Sequence, residues 1–472
     1  MSVPVISVAQ MRSWEAATWD TGQSVDAVMR LAGRAVAAQA RRMTTTEAPV
    51  LVLAGKGNNG GDARYAAEDL TDRNATLIEC ADAAVSLADV REKLAGVAAR
   101  KGVVIDGLFG IGLNRAPAGR WAEIIDAVNA SGARVLAVDA PSGLLCDDGG
   151  QPGSVIRAEV TLTFGAPKTG LLAATAEEWV GRLEVAADIG LIPCPFTSEV
   201  RWDEAKDFHN HPPRRTSGGH KGTHGHLVIL AGSTGYHGAA VLAARGAQRA
   251  MPGLISLWTT ERAYLPVASQ LRQTMVHPWA TGMTPPPNVT AILVGPGLAG
   301  ADVDDARIEQ VRELWRSWPS TMAADASALD WLEPGSPAAL RVITPHPGEA
   351  ARMLGRSTAE VQQDRLSAVR SLRERFGAIA VLKGCRTLVA SGGGITINGT
   401  GNPFLAQGGS GDVLAGYLAG LLAQPALAMA AERTVRFGIR QHGLAADRLA
   451  EERHAWDLDD LLGRLGNARE CH

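Results

Sequence analysis

Across 472 residues the chain has only five cysteines, Cys80, Cys146, Cys194, Cys385 and Cys471, scattered without a C-x-x-C pair or metal-ligand spacing. That scarcity excludes a disulfide framework and a cysteine-built metal site, and makes a reduced cytoplasm the expected compartment. Charge of one sign is lacking too, since the formal net charge is −3. Neither nucleic acid nor an anionic membrane surface is therefore expected as a partner. No run approaches the roughly 18 apolar residues needed to span a bilayer, and Met1 to Arg12 lack the apolar core of a signal peptide. Repeats at solenoid periods are missing as well.

What is present is glycine, 53 residues of it, in a chain that is 46% hydrophobic and 20% charged. The length exceeds what one hydrophobic core covers, so two globular domains are expected. From Pro193 to His224 the periodic pattern lapses into proline, histidine and basic residues, including His209 to Arg215. The expected division is a first domain over residues 1–200, a linker over 201–224 and a second domain over 225–472. The linker histidines have no second ligand cluster and read as solvated chain rather than a metal site.

In the first half, aliphatic runs at Val50–Ala54, Val103–Ile105, Val135–Val138 and Val160–Phe164 alternate with helical stretches. Such alternation predicts an α/β fold with a parallel sheet, whose loops gather at one rim. Those loops are GKGNNGGD (Gly55–Asp62), DGLFGIG (Asp106–Gly112), DAPSG (Asp139–Gly143) and GAPK (Gly165–Lys168). The second half repeats the scheme with strands predicted at His226–Leu230, Leu254–Thr259, Ala291–Val294, Arg341–Ile343 and Ala378–Leu382.

The most informative stretch is Gly408-Gly409-Ser410-Gly411-Asp412, followed by the apolar run Val413–Leu422. Glycines let backbone N–H groups converge, a helix aims its positive end at the same point, and Asp412 supplies a base beside a bound phosphate. The combination suits phosphoryl transfer to a hydroxyl. Upstream, Val381-Leu382-Lys383-Gly384 reads as a buried strand ending in a cation, and Asn398–Asn402 as a tight turn.

Asn58–Asp62 is neither a G-x-G-x-x-G fingerprint nor a P-loop, yet it holds more amides and glycines than a turn requires, which suits a diphosphate. Asp106 and Asp139 each follow a strand, so both carboxylates are expected at one sheet edge, as acid, base or cation ligand, with Asn59 and Ser142 beside them. Lys168 reads equally as a phosphate contact or as an exposed surface lysine. His346, between two prolines, is either a packed turn residue or a ligand contact.

Taken together, GKGNNGGD, DGLFGIGL, AVDAPSGL and TLTFGAPKTG make the first half resemble NAD(P)H-hydrate epimerase. HKGTHGHLVILAGS, GPGL, TPHPGEAARML, VLKG and NPFLAQGGSGDVLAG make the second resemble ADP- or ATP-dependent NAD(P)H-hydrate dehydratase. The resemblance implies a Rossmann-like three-layer epimerase domain followed by a ribokinase-like dehydratase domain. It implies repair of hydrated NADH and NADPH, interconverting the R and S forms and dehydrating the S form at the expense of a nucleotide.

By the same resemblance, Asp412 and Asp139 are the expected catalytic residues. Asn58, Asn59, Gly60, Gly61, Asp62, Gly110, Ile111, Gly112, Leu113, Asn114, Arg115, Ala116 and Asp139 would bind the hydrated cofactor in the epimerase half. Ala239, Gly297, His346 and Asp412 would do so in the dehydratase half. Lys383, Gly384, Cys385, Arg386, Thr387 and Gly411 would line the nucleotide site. Potassium is expected on Asn59, Asp106 and Ser142, Mg2+ with the ADP or ATP, and a homo-oligomer as the assembly.

Two departures from the family pattern stand out. Ala63-Arg64 follow Asp62 where a glycine is usual, and Val28-Met29-Arg30 replaces Leu-Met-Glu. The competing reading keeps the ribokinase-like fold as a small-molecule kinase and makes the first half a non-catalytic scaffold.

Overall fold

The computed structural model describes residues 2–467, so Cys471 lies outside the described residues. The other four cysteines are free thiols. Residue contacts divide the chain into two compact units, Val3–Trp202 and a second that runs from Asp203 onward. No helix among the described residues is long and apolar enough to cross a membrane.

In the first unit the strand Pro49–Ala54 shows why three layers form. Its side chains alternate, Val50, Val52 and Ala54 entering one apolar cluster and Leu51 and Leu53 another on the opposite face. Val103 and Ile105 against Val104, and Leu136 and Val138 against Val135, do the same in the next two strands. A strand buried on both faces needs helices on both sides. The amphipathic helix Val25–Met43 covers one face through Val28, Ala32 and Val36, while Ala83–Ala99 covers the other through Leu87, Val90 and Leu94.

All pairings in this six-stranded sheet are parallel. The spatial order is Asn74–Glu79, Pro49–Ala54, Val103–Gly107, Arg134–Val138, Val160–Phe164, Arg182–Ala186. The order in which strands are added therefore reverses between Pro49–Ala54 and Val103–Gly107. The crevice beyond the carboxyl ends of such a pair is where open α/β sheets take ligands, and here it is flanked by the loops beginning at Gly55 and Leu108. The edge strand Asn74–Glu79, half polar, was not legible as a strand.

The second unit has a parallel sheet with an antiparallel hairpin at one side. Its order runs Gly394–Ile397, Leu388–Ser391, Ile379–Leu382, Arg341–Ile343, Thr321–Ala324, Ala291–Val294, His226–Leu230, Leu254–Thr259, Met275–Pro278. The order in which strands are added reverses between Ala291–Val294 and His226–Leu230, so Gly295–Gly297 and the loop after Leu230 flank this unit's crevice.

Two helices, His237–Ala250 and Ser410–Leu422, pack so closely that glycine is required where they meet. A Cβ added at Gly416 would lie 1.9 Å from the Ala243 carbonyl oxygen, and one at Gly246 would lie 2.3 Å from that of Val413. This crossing sets the distance between Ala239 and the Gly409–Asp412 turn.

Residues 201–224, read from sequence as a linker, carry 3-10 turns at Ala205–Phe208 and Lys221–His224. Arg436 donates to the buried Asp203 carboxylate (3.0 Å), and Arg433 to the carbonyls of Asp207 (2.9 Å) and His209 (2.7 Å). The stretch is thus held by the long helix Ala431–Glu452, a tie between residues far apart in sequence.

Replacing Gly416 with Val is expected to destabilise the second unit by about 3 kcal/mol or more, because the neighbour is backbone and cannot rotate away. Urea unfolding followed by circular dichroism checks this.

Candidate active sites

The first site is built by backbone lying on backbone. A Cβ at Gly55 would sit 2.1 Å from the Leu108 carbonyl oxygen, and one at Gly60 would sit 1.9 Å from that of Gly55. The two crevice loops are thereby pressed together. The helix Asn58–Asp69 starts from Gly57 with no side-chain cap, which leaves its first N–H groups free for an anion. Gly110 to Ala116, the other expected dinucleotide contact, is an exposed to half-buried loop that includes Ile111, Gly112, Leu113, Asn114 and Arg115.

Asn59 is buried between these loops, and neither its Oδ1 nor its Nδ2 has a hydrogen-bond partner. An orphaned buried amide is costly unless a ligand satisfies it. Nearby, Asp106 is fully buried, inside the strand Val103–Gly107 rather than after it. Its carboxylate accepts from the Ser142 N–H (2.9 Å) and hydroxyl (2.7 Å), and burial outweighs these bonds, raising its pKa to about 6.

Asp139 follows the strand Arg134–Val138 with a backbone φ of +60°, a strained conformation for a non-glycine residue. Its Oδ1 accepts from Lys168 Nζ (2.7 Å), the Thr163 hydroxyl (2.9 Å) and the Phe164 N–H (3.0 Å). All three bonds fall on one oxygen, and Oδ2 is left for a ligand. Lys168 is 0% exposed, which excludes the surface-lysine reading. Its ammonium also donates to the Thr163 hydroxyl and the Phe164 carbonyl, both at 2.9 Å. Ile6 fixes the Lys168 loop by accepting from the Thr169 N–H (3.0 Å) and donating to the Pro167 carbonyl (3.0 Å).

Two further carboxyls face this pair. Burial holds the Asp62 carboxyl well above the ordinary range, with Asp139 and then Glu15 adding to it. Glu15 is raised by burial and then by Asp139, with Lys168 and Arg12 opposing. Sequence reasoning missed Glu15. The available signal was its position four residues after Met11 on the helix Val8–Asp20, whose buried face includes Met11 and Trp14.

The family departures are accommodated. Ala63 is fully buried against Gly107, whose added Cβ would lie 2.4 Å from the Ala63 methyl. Arg64 donates to the Gly55 carbonyl (2.8 Å) and to Glu79. Arg30 lies 4.5 Å over the Tyr65 ring and pairs with Asp26 (3.0 Å).

In the second unit the helix Ser410–Leu422 begins at Gly409, φ +97°, again with no side-chain cap. A Cβ at Gly411 would meet Lys383 Nζ at 3.3 Å, so the ammonium lies against the glycine turn. Lys383 begins the loop 383–387 that joins the antiparallel strands Ile379–Leu382 and Leu388–Ser391. Gly384 and Arg386 take φ values of +127° and +52° there, Thr387 donates to the Gly384 carbonyl (3.0 Å), and Cys385 is exposed.

The Asp412 carboxylate makes no hydrogen bond or ion pair with any described residue. Burial, then the nearby Asp325 carboxylate, raises its pKa to about 7, Lys383 opposing and Glu349 adding. The Lys383 ammonium instead pairs with Asp325 Oδ1 at 2.6 Å and approaches Glu349 Oε2 at 3.9 Å.

Gly297, φ +66°, lies against Ala239: its added Cβ would lie 2.9 Å from the Ala239 Cβ. Ala239 is half-buried, whereas Ala240 is fully buried. The His346 ring is half exposed, Nδ1 accepting from the Gly348 N–H (3.0 Å) and Nε2 lying 3.4 Å from Glu349. It caps the helix Pro347–Leu354 with half of its side chain still exposed.

Asp325 went unnoticed in the sequence because it follows Thr321–Ala324, a strand with a single β-branched residue. Among the described residues no group of three His, Cys, Asp or Glu side chains is arranged for a metal ion.

The profile of the NAD(P)H-hydrate dehydratase family matches residues 227–465, and that of the YjeF-related protein N-terminus matches residues 25–170. The bifunctional NAD(P)H-hydrate repair enzyme Nnr of Coxiella burnetii is 34% identical over 474 residues, covering 94% of this chain and 94% of that one. Its counterpart of Moorella thermoacetica is 33% identical over 473 residues, covering 88% and 86%. Among solved structures, the ADP/ATP-dependent NAD(P)H-hydrate dehydratase from Bacillus subtilis, co-crystallized with ATP/Mg2+, is 29% identical. It covers 54% of this chain and 92% of that one, with a TM-score of 0.49.

Lys168→Met would leave the Asp139 carboxylate without its buried counter-charge. A loss of about 3 kcal/mol in the stability of the first unit is expected, read by urea unfolding, while Lys56→Met on the exposed loop is expected to be neutral.

Proposed function

The chain belongs to the family of bifunctional NAD(P)H-hydrate repair enzymes, with an epimerase and a dehydratase domain, and on that premise we propose how each site acts. In the dehydratase domain ADP or ATP lies along residues 383–387 and Gly411, its terminal phosphate against the free N–H groups at the start of Ser410–Leu422 and the Lys383 ammonium. Ala239, Gly297 and His346 hold the hydrated ring. Asp412 takes the proton of its hydroxyl, whose oxygen attacks the terminal phosphorus; the bond to the AMP or ADP leaving group breaks.

The phosphate ester is a far better leaving group than hydroxide. The ring nitrogen's lone pair expels it as inorganic phosphate, and loss of the neighbouring carbon's proton restores the dihydropyridine. The observation that carries this reading is Asp412 itself, an unpaired carboxyl of pKa about 7 at an uncapped helix start. A base poised near neutrality can take a proton and still be regenerated. Mg2+ would enter on the nucleotide's phosphates, as it usually does, because no protein cage is arranged for it among the described residues.

In the epimerase domain the reacting carbon bears both nitrogen and hydroxyl, so it loses configuration when the ring or the C–O bond opens. Asp139 Oδ2 accepts a proton and Asp62, its pKa raised by burial and then by Asp139 and Glu15, returns one. Residues 58–62 and 110–116 hold the dinucleotide. The orphaned Asn59 amide, with the oxygens of Asp106 and Ser142, fits a potassium ion. Bound there, the ion would supply positive charge beside the substrate's phosphates.

The small-molecule kinase with a scaffold module is not favoured. The Coxiella relative, named a bifunctional NAD(P)H-hydrate repair enzyme, matches across 94% of the chain.

With S-form hydrated NADH and ATP or ADP, recovery of dihydronicotinamide absorbance is the assay. Asp412→Asn is expected to lower the rate by about 100-fold or more. In the parent, kcat/KM should rise with pH and level off above about 7, because the base works only when deprotonated. A profile flat from pH 5.5 to 8.5 would contradict the assignment. With R-form hydrate offered alone, Asp139→Ala is expected to reduce repair to the spontaneous background.

A further inference from the structure

We propose that Asp325 is a positioning residue of the dehydratase site, clamping the Lys383 ammonium beneath Gly411 so that it meets the nucleotide's phosphate instead of pairing with Asp412. The inference rests on the dehydratase reading above and concerns a residue to which that reading gives no role.

A lysine and a base so close in a buried site should pair directly. In this structure they do not. Lys383 Nζ lies 2.6 Å from Asp325 Oδ1 and 3.9 Å from Glu349 Oε2, while the Asp412 carboxylate has neither ion pair nor hydrogen bond among the described residues. Asp325 is itself held in place. Its Oδ1 accepts from the Thr344 hydroxyl (2.8 Å), its N–H donates to the Val294 carbonyl (3.0 Å), and its side chain is 2% exposed. A Cβ at Gly295 would lie 1.7 Å from the Asp325 carbonyl oxygen, so glycine is required beside it.

Three elements therefore converge on one ammonium: the end of Thr321–Ala324 through Asp325, the helix Pro347–Leu354 through Glu349, and the loop that carries Lys383. The ionisable groups around Asp412 are Asp325, Lys383 and Glu349. Behind Lys383 lies the buried His442 of Ala431–Glu452, its pKa lowered by burial to about 4, which adds no charge at neutral pH. Asp325 and Glu349 together absorb the lysine's charge. Lys383 still lowers the Asp412 pKa, but by less than burial and Asp325 raise it, so Asp412 faces substrate as a usable base.

The test is Asp325→Asn in the full chain, with Thr344→Val as a milder variant that loosens Asp325 without removing its charge. Dehydration of S-form hydrated NADH with ATP is measured from pH 5.5 to 8.5, with thermal melts confirming folding. If the clamp exists, Asp325→Asn frees Lys383 to pair with Asp412. The KM for ATP rises by about tenfold, the size expected for a charged hydrogen bond; the midpoint of kcat/KM also moves to more acid pH, but since the Asp325 charge itself raises the Asp412 pKa, the clamp is read from that KM and from the midpoint of Thr344→Val, which keeps the charge. Thr344→Val shifts both in the same directions by less.

Wild-type midpoint and ATP KM in both variants, once folded, would overturn the clamp. Should Asp325→Asn fail to fold, Thr344→Val decides by the same criterion. An inactive parent enzyme would instead count against the dehydratase reading itself, so the two failures are distinguishable.

Discussion

A buried ammonium must have an anion, and in each half of this molecule one lysine meets that demand in a way that fixes the chemistry around it. Lys168 pairs with Asp139, the carboxylate expected to act, and gathers every bond onto Oδ1. Lys383 pairs with Asp325 and leaves the carboxylate proposed as base, Asp412, without a partner among the described residues. In water such pairs would contribute little; inside a protein the desolvation of both charges makes geometry decisive. On the proposed reading, one arrangement would hold a carboxylate still for proton exchange at a fragile carbon, and the other would keep a carboxylate basic beside a phosphate.

Glycine supplies the remaining constraint. Both sites place an uncapped helix start in a crevice where the sheet order reverses, and in both the backbone must approach backbone too closely for any side chain. Gly55 and Gly60 do this in the first unit; Gly295, Gly246 and Gly416 do it in the second. Left-handed backbone at Asp139, Ala326 and Arg386 concentrates strain around the same loops.

Much of this was legible in the residues. Buried parallel strands such as Val160–Phe164 and His226–Leu230 announce themselves as continuous aliphatic runs bounded by glycine, and their limits match the structure. Gly408–Asp412 and Asn58–Asp62 could be read because anion binding needs glycine before a helix. What could not be read were pairings across long separations. Nothing local in Gly165–Lys168 says that Lys168 turns inward to a carboxylate 29 positions earlier. Asp325 sits after a four-residue strand too short to carry a pattern, and Glu15 on a helix whose own loop chemistry is silent. The antiparallel hairpin at Leu388–Ser391 and Gly394–Ile397 escaped for the same reason of brevity.

The account turns on whether the hydroxyl of the hydrated ring becomes a phosphate ester before it departs. Preparing S-form hydrated NADH with 18O in that hydroxyl, and analysing the inorganic phosphate released with ATP by mass spectrometry, follows the oxygen directly. Transfer through Asp412 and the glycine turn predicts one 18O in each phosphate formed. Label found in water, with unlabelled phosphate, would contradict it.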